Sequence, residues 1–129
     1  MERFSVKTNK AKEVVDITDK VNSLLGDLKT NNGICHLFVT HTTCCLTTAD
    51  LDPGTDKDIL EAIEVMFPKR NYRHPHNPAH VGEHIMSSII GPSLNIPVEN
   101  GKLVLGTWQR VVLIELSGPR EREIICQFN

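Results

Sequence analysis

Alternating apolar and polar positions predict that most of the chain is β-strand. FSVKT and KEVVDIT near the N-terminus predict two short strands, GICHLFVTHT a clear third, and CCLTTAD a fourth. In the last third of the chain, SLNIPV and KLVLGTW flank the Asn100-Gly101 dipeptide, which is the strongest short signal for a β-hairpin. RVVLIEL and EREIICQF follow, and we expect them to complete a meander with that hairpin.

Three other segments show the helical period. The first runs through VNSLLGDLK, with Thr18 or Asp19 as its cap. Asp52-Pro53 predicts the start of the second, because Asp is a favoured N-cap and Pro fits the first helical position. The apolar face of this second helix is predicted to comprise Ile59, Leu60, Ile63, Met66 and Phe67, with Pro68 ending it. The third runs from about Ala79 to Ile90 and is closed by Gly91-Pro92.

Two predicted strands, GICHLFVT and RVVLIEL, are apolar on both faces. A small antiparallel sheet usually leaves one face to solvent, and three modest helices cover only one face. A second sheet or another subunit must therefore cover the other. The order of the elements predicts an α+β fold with antiparallel sheets in a sandwich-like arrangement and about three helices.

Length and composition narrow the class of protein. The 129 residues fit a single domain, residues 1–129. A net charge of -2 gives no overall attraction for nucleic acid, and no apolar run approaches the ~20 residues of a membrane-spanning helix. MERFSVKTNKAKE lacks the apolar core of a signal peptide. We expect a cytoplasmic protein with no membrane or nucleic-acid partner, whose cysteines are reduced core residues: Cys35, Cys44, Cys45 and Cys126.

Histidines are concentrated in YRHPHNPAHVGEH, which holds His74, His76, His80 and His84, four of the six in the chain. His80 and His84 are four residues apart on the predicted third helix, a spacing that suits a metal ion but equally a solvated or hydrogen-bonded pair. His41 follows the strand GICHLFVT, where a neutral imidazole is a ligand, a base, or a group bonded to a backbone carbonyl.

Two arginines follow the Gly118-Pro119 turn. Arg122 shares a strand face with apolar residues, where a guanidinium must find an anion, and phosphate or carboxylate is its natural partner. The alternative for Arg122 is an ion pair with Glu115, which would leave Arg120 to meet a ligand.

Trp108 either lines a pocket or fills the core, and composition alone favours the core. The acidic residues are candidates for Mg²⁺ or for stabilising a first helical turn, namely Asp50, Asp52, Asp56 and Asp58.

These motifs together resemble a known family. They occur in this order: His41-Thr42-Thr43, Asp52-Pro53, Tyr72-Arg73-His74, His84 with Ser88, Gly91-Pro92-Ser93, Ile96-Pro97-Val98, Gly106-Thr107-Trp108-Gln109 and Gly118-Pro119-Arg120 with Arg122. The order is similar to that of the YjbQ-type family, often called secondary thiamine-phosphate synthases, and it covers nearly the whole chain.

The resemblance implies a homotrimer with sites near subunit boundaries and a site that holds a divalent metal, zinc in the first instance, on His41, His74 and His84. His76 and His80 are then polar residues of loop and helix. The implied activity joins hydroxymethylpyrimidine diphosphate to thiazole phosphate and releases diphosphate.

In that transferase, Arg120 and Arg122 bind phosphate, Asp50 orients a ligand or binds Mg²⁺, and Trp108 stacks on a ring. Thr42 and Ser88 complete the substrate contacts that the resemblance implies. The alternative is a trimeric module that binds a metal or a phosphorylated metabolite and has only incidental catalysis.

Overall fold

The computed structural model describes residues 1–69, 72–74 and 81–129, in which the chain forms eight strands and three helices. The strands are β1 Glu2–Lys7, β2 Glu13–Asp16, β3 Gly33–Val39, β4 Cys44–Ala49, β5 Ser93–Glu99, β6 Lys102–Leu103, β7 Arg110–Glu115 and β8 Glu121–Phe128. The helices are α1 Thr18–Asp27, α2 Thr55–Met66 and α3 Val81–Ile90. The predicted α+β class is confirmed.

Two antiparallel sheets pack against each other. The large sheet has the order β1-β8-β3-β5-β6, and the small sheet has the order β2-β7-β4. Leu37 and Ile124 of the large sheet share one buried cluster with Val111 and Leu113 of the small sheet. This face-to-face contact is the sandwich-like arrangement that the sequence predicts.

The other face of the small sheet is covered by helices. Val112 and Ile114 of β7 pack with Ile63 of α2 and Met86 of α3. β7 is therefore buried on both faces, which explains why RVVLIEL is apolar throughout. β3 differs, because Phe38 on its outer face remains 46% exposed. The four cysteines are unpaired and buried, as expected for core residues.

The predicted hairpin is confirmed, but the predicted meander is wrong. Asn100 and Gly101 have φ values of 50° and 77°, as a two-residue hairpin turn requires, and β5 pairs with β6. β7 and β8 belong to different sheets, so they do not continue the hairpin. The chain crosses between sheets at Gly118, where a Cβ atom would lie 2.5 Å from the Lys10 carbonyl oxygen. Only glycine fits this crossing without a shift of the backbone.

The start of α1 differs from the prediction. Ile17 is in the cap position, rather than Thr18 or Asp19, and no side chain caps the helix. The Thr18 hydroxyl instead accepts the Val111 N–H at 2.8 Å, which ties the first turn of the helix to β7.

The start of α2 also differs, since the helix begins at Thr55 and Asp52 is not its cap. The Thr55 N–H donates to the Asp52 carbonyl oxygen at 2.9 Å, and Gly54 has a φ of 93°. Pro followed by Gly at the centre of four residues is typical of a type II turn. The Asp52-Pro53 signal therefore marks a turn that precedes the helix.

The remaining helix predictions are partly confirmed. Ile63 is buried, whereas Met66 is 68% exposed and does not belong to the apolar face. α3 ends at Ile90, and Gly91 follows with a φ of 108°, as a helix C-terminus favours. The predicted start near Ala79 lies outside the described residues.

A buried ion pair joins the two sheets. Arg122 of β8 and Glu115 of β7 are 1% and 0% exposed, and Arg122 Nε donates to Glu115 Oε2 at 2.8 Å while Nη2 pairs with Oε1. The Thr8 hydroxyl and the Ser117 N–H also donate to this carboxylate, at 2.8 and 3.0 Å. Burial alone would raise the pKa of Glu115, but the hydrogen bonds from Arg122, Ser117 and Thr8 hold it below its ordinary value. Of the two alternatives for Arg122, the structure shows the ion pair.

We expect Glu115→Gln to lower the free energy of unfolding by about 3–5 kcal/mol, because it leaves the charge of Arg122 buried and unpaired. Urea unfolding measures this loss. Arg3→Ala is the matched control, since it removes the exposed ion pair with Glu123 and should cost less than about 1 kcal/mol. Equal, small losses in both variants would show that the buried pair does not hold the sheets together.

Candidate functional site

A cavity of about 300 Å³ lies between the end of β3, the segment that follows it and the last turn of α3. Its lining residues are Phe38, Val39, Thr40, His41, Thr42, Ser87, Ser88 and Pro92. Three residues that the sequence proposes for the site therefore meet here, namely His41, Thr42 and Ser88. We call this space the His41 cavity.

The ring of His41 is held by a backbone hydrogen bond. The Glu123 N–H donates to His41 Nε2 at 3.0 Å. In a neutral imidazole, one nitrogen accepts and the other carries the proton, so this bond places the proton on Nδ1. Burial lowers the pKa of His41, and the nearby charge of Arg122 lowers it further. His41 is thus a neutral ring with Nδ1–H as a hydrogen-bond donor.

The two arginines differ in what they can do. Arg122 is committed to Glu115, and its Nη2 also donates to the Thr43 hydroxyl at 2.9 Å and the Thr43 carbonyl oxygen at 3.1 Å. Arg120 is exposed, its Nε donates to the Ser117 carbonyl oxygen at 2.8 Å, and no carboxylate within the described part of the chain pairs with it. Its charge is close enough to lower the pKa of His41. Arg120 is therefore the guanidinium with capacity for an anionic ligand.

Asp50 and Trp108 lie at a second concavity of about 440 Å³, which shares no lining residue with the His41 cavity. Asp50 follows the end of β4, whereas His41 and Thr42 precede its start. A strand of six residues spans about 20 Å, so the proposed site residues form two groups at opposite ends of β4. Trp108 is 71% exposed, and the interpretation of Trp108 as core filler is therefore wrong.

The structure brings His74 and His84 together. Their rings are stacked, with centroids 5.2 Å apart and planes inclined by 15°. Imidazole lone pairs lie in the ring plane, so nearly parallel stacked rings cannot direct two of them at one ion about 2 Å from each nitrogen. In the ranges 1–69, 72–74 and 81–129, no three His, Cys, Asp or Glu side chains are arranged to hold a metal ion.

The arrangement of the three proposed metal ligands does not fit a three-histidine site. The lone pair of His41 Nε2 is used by Glu123, and the rings of His74 and His84 are stacked. His76 and His80 lie outside the described residues, so their proposed roles stay predictions.

Sequence analysis missed Ser87. This residue is 5% exposed, lines the His41 cavity, and its Oγ has no hydrogen-bond partner among the residues that the structure describes. The sequence held one signal: Ser87-Ser88 is a polar pair in an otherwise apolar helix end, and one of the two must face inward.

Comparison with known proteins places the chain in a family. The family model for UPF0047 protein YjbQ-like matches residues 2–129. The UPF0047 protein of Archaeoglobus fulgidus is 36% identical over 125 residues, which cover 96% of this chain and 97% of that protein. The chain belongs to the UPF0047, YjbQ-like family.

Solved structures agree with this assignment. The crystal structure of a hypothetical protein from Aeropyrum pernix K1 has a TM-score of 0.92 and 35% identity, covering 99% of this chain and 96% of that one. An uncharacterised conserved protein of the YjbQ/UPF0047 family from Clostridium acetobutylicum has a TM-score of 0.90 and 33% identity, covering 100% of both chains. Among the described helices, none has the length and apolar character needed to cross a bilayer.

Trp108 is the only tryptophan, so its fluorescence reports on the second concavity. We expect the emission of a solvated indole, with little shift in its maximum when the protein unfolds in urea. Because the side chain is exposed, Trp108→Ala should change the free energy of unfolding by less than about 0.5 kcal/mol. Native emission at short wavelength that moves to longer wavelength on dilution would instead show that another subunit covers Trp108.

Proposed function

We propose that this protein binds a phosphorylated small molecule in the His41 cavity. The observation that carries the proposal is the hydrogen bond from the Glu123 N–H to His41 Nε2, which leaves Nδ1–H as a donor in a cavity also lined by hydroxyl groups. Phosphate oxygens accept hydrogen bonds and carry negative charge, so they match donors and repel carboxylates. The cavity fits this chemistry, since none of its lining residues is acidic.

Each residue has a role in this proposal. His41 donates through Nδ1–H, Thr42 and Ser88 donate hydroxyl hydrogens, and Arg120 supplies positive charge at the edge of the site. Arg122 is a positioning residue, because its guanidinium holds Thr43 next to the two cavity residues and does not itself reach a ligand.

The resemblance adds a candidate reaction, the joining of hydroxymethylpyrimidine diphosphate to thiazole phosphate. In this transferase, His41 and Arg120 would hold the diphosphate that departs and stabilise its negative charge. Trp108 and Asp50 are about 20 Å away along β4 in the same chain, so they serve the same substrate only if a neighbouring chain presents them. A homotrimer with sites between subunits would meet this requirement.

A divalent metal, zinc or Mg²⁺, stays a prediction that rests on the resemblance. The arrangement of His41, His74 and His84 does not supply converging lone pairs, and we therefore assign phosphate binding to hydrogen-bond donors and Arg120.

We expect phenyl phosphate, an aromatic phosphate monoester, to raise the melting temperature of the protein, and Arg120→Ala to weaken this effect. A ligand at 100 times its dissociation constant adds about 2.7 kcal/mol of stability, which thermal unfolding detects. Arg3→Ala, which removes an exposed arginine on the large sheet, should respond as the wild type does. Phenol is the control for the ring alone. The absence of stabilisation by phenyl phosphate, by inorganic phosphate and by diphosphate would contradict the proposal.

For the transferase, we expect purified protein to form thiamine phosphate from the two phosphorylated precursors, with a slower rate in Arg120→Ala. The metal content of the same wild-type sample, compared with that of His84→Ala, tests the predicted ion. A rate unchanged in Arg120→Ala would show that the reaction does not use this site. Phosphate binding without product formation would leave the protein as a binding module.

A further inference from the structure

Ser87 has an unusual environment for a serine. Its side chain is 5% exposed, and its Oγ has no hydrogen-bond partner among the described residues. Leaving a buried hydroxyl without a partner is unfavourable, and native proteins rarely do so unless a water molecule, an ion or a ligand completes the bond. Ser88, the next residue, is exposed and has water available. The hydroxyl of Ser87 therefore points to a missing acceptor or donor.

The position of Ser87 relative to His41 is fixed by backbone hydrogen bonds. The Gly91 N–H donates to the Ser87 carbonyl oxygen at 2.9 Å, which closes α3. The Gly91 and Pro92 carbonyl oxygens then accept the N–H groups of Leu46 in β4 and Val39 in β3, at 3.0 and 2.8 Å. The end of α3 is thus tied to both strands that flank His41. The two walls of the cavity are held in place before any ligand binds.

The two donors differ from the other polar groups of the cavity. The ring of His41 is held by Glu123, and Ser87 is buried, so neither side chain needs to be ordered when a ligand arrives. Thr42 and Ser88 are exposed and already solvated. Binding energy is lost to side-chain ordering, and preorganised donors avoid that loss.

We propose that Ser87 and His41 are the paired hydrogen-bond donors that hold the phosphate group of a small phosphoester in the His41 cavity. The assignment rests on the proposed phosphate-binding function and adds a residue and a ligand class to it. The apolar wall formed by Phe38, Val39 and Pro92 would contact the ring or alkyl part of the ester. A cavity of about 300 Å³ has room for such a molecule, since it is at the small end of the range for ligand pockets.

Ser87→Ala provides the test, with opposite signs for two measurements. Removing a hydroxyl that has no partner should leave the melting temperature of the free protein unchanged or raise it. The same change should weaken the binding of phenyl phosphate at least tenfold in calorimetric titration. Ser23→Ala, at an exposed position of α1, is the matched control for the change from Ser to Ala in a helix and should alter neither quantity by much.

Two substitutions at His41 separate its two nitrogens. His41→Asn places an amide donor near the Nδ1 position, and His41→Gln reaches the Nε2 position and keeps an acceptor for the Glu123 N–H. We expect His41→Asn to retain more phenyl phosphate binding than His41→Gln, and His41→Gln to retain more stability.

Each other outcome has a distinct meaning. If wild-type protein binds phenyl phosphate and Ser87→Ala binds it equally well, the inference about Ser87 is wrong while the proposed function stands. A loss of stability in Ser87→Ala would also count against it, since it would show that the hydroxyl bonds within its own helix. If the wild type binds no phosphate compound, the proposed function itself fails.

Discussion

The ion pair between Arg122 and Glu115 is the interaction on which the rest of this structure depends. It places two charges at the point where the chain passes from the small sheet to the large one, and burial makes each charge costly without the other. Thr8 and Ser117 complete the bonds of the carboxylate, and Thr43 completes those of the guanidinium. Three separate parts of the chain are therefore fixed against the turn at Gly118.

The candidate site is a consequence of that constraint. Arg122 binds the Thr43 main chain, and the next residue, Glu123, donates its N–H to His41. Two consecutive residues of β8 thus hold both ends of a three-residue segment. The same charge lowers the pKa of His41, which keeps the imidazole neutral with its proton on Nδ1. Stability and ligand chemistry meet in one network, so Arg122 contributes to function without touching a ligand.

The residues proposed from the resemblance do not form one site within a chain. His41, Thr42 and Ser88 line one cavity, while Asp50 and Trp108 lie at the other end of β4. Phe38 lines the His41 cavity and is also 46% exposed on the outer face of the large sheet. Assembly of several chains would bring such separated groups together, which gives the predicted homotrimer a chemical purpose.

The sequence by itself determined the elements whose signals are local. Asn100-Gly101 predicts its hairpin because the turn geometry depends on those two residues, and the apolar run of β7 predicts a strand covered on both faces. Asp52-Pro53 misled because Gly54 makes a turn of it, and a turn and a helix start share the same first residues.

Only the tertiary structure decided how the site is built. The partner of His41 is 82 residues away in the sequence, so no local pattern could show which nitrogen carries the proton. Likewise, the choice of Ser87 rather than Ser88 as the buried serine follows from how α3 packs on β4. Periodicity encodes which positions are apolar, whereas the contacts between distant segments fix the direction of each polar side chain.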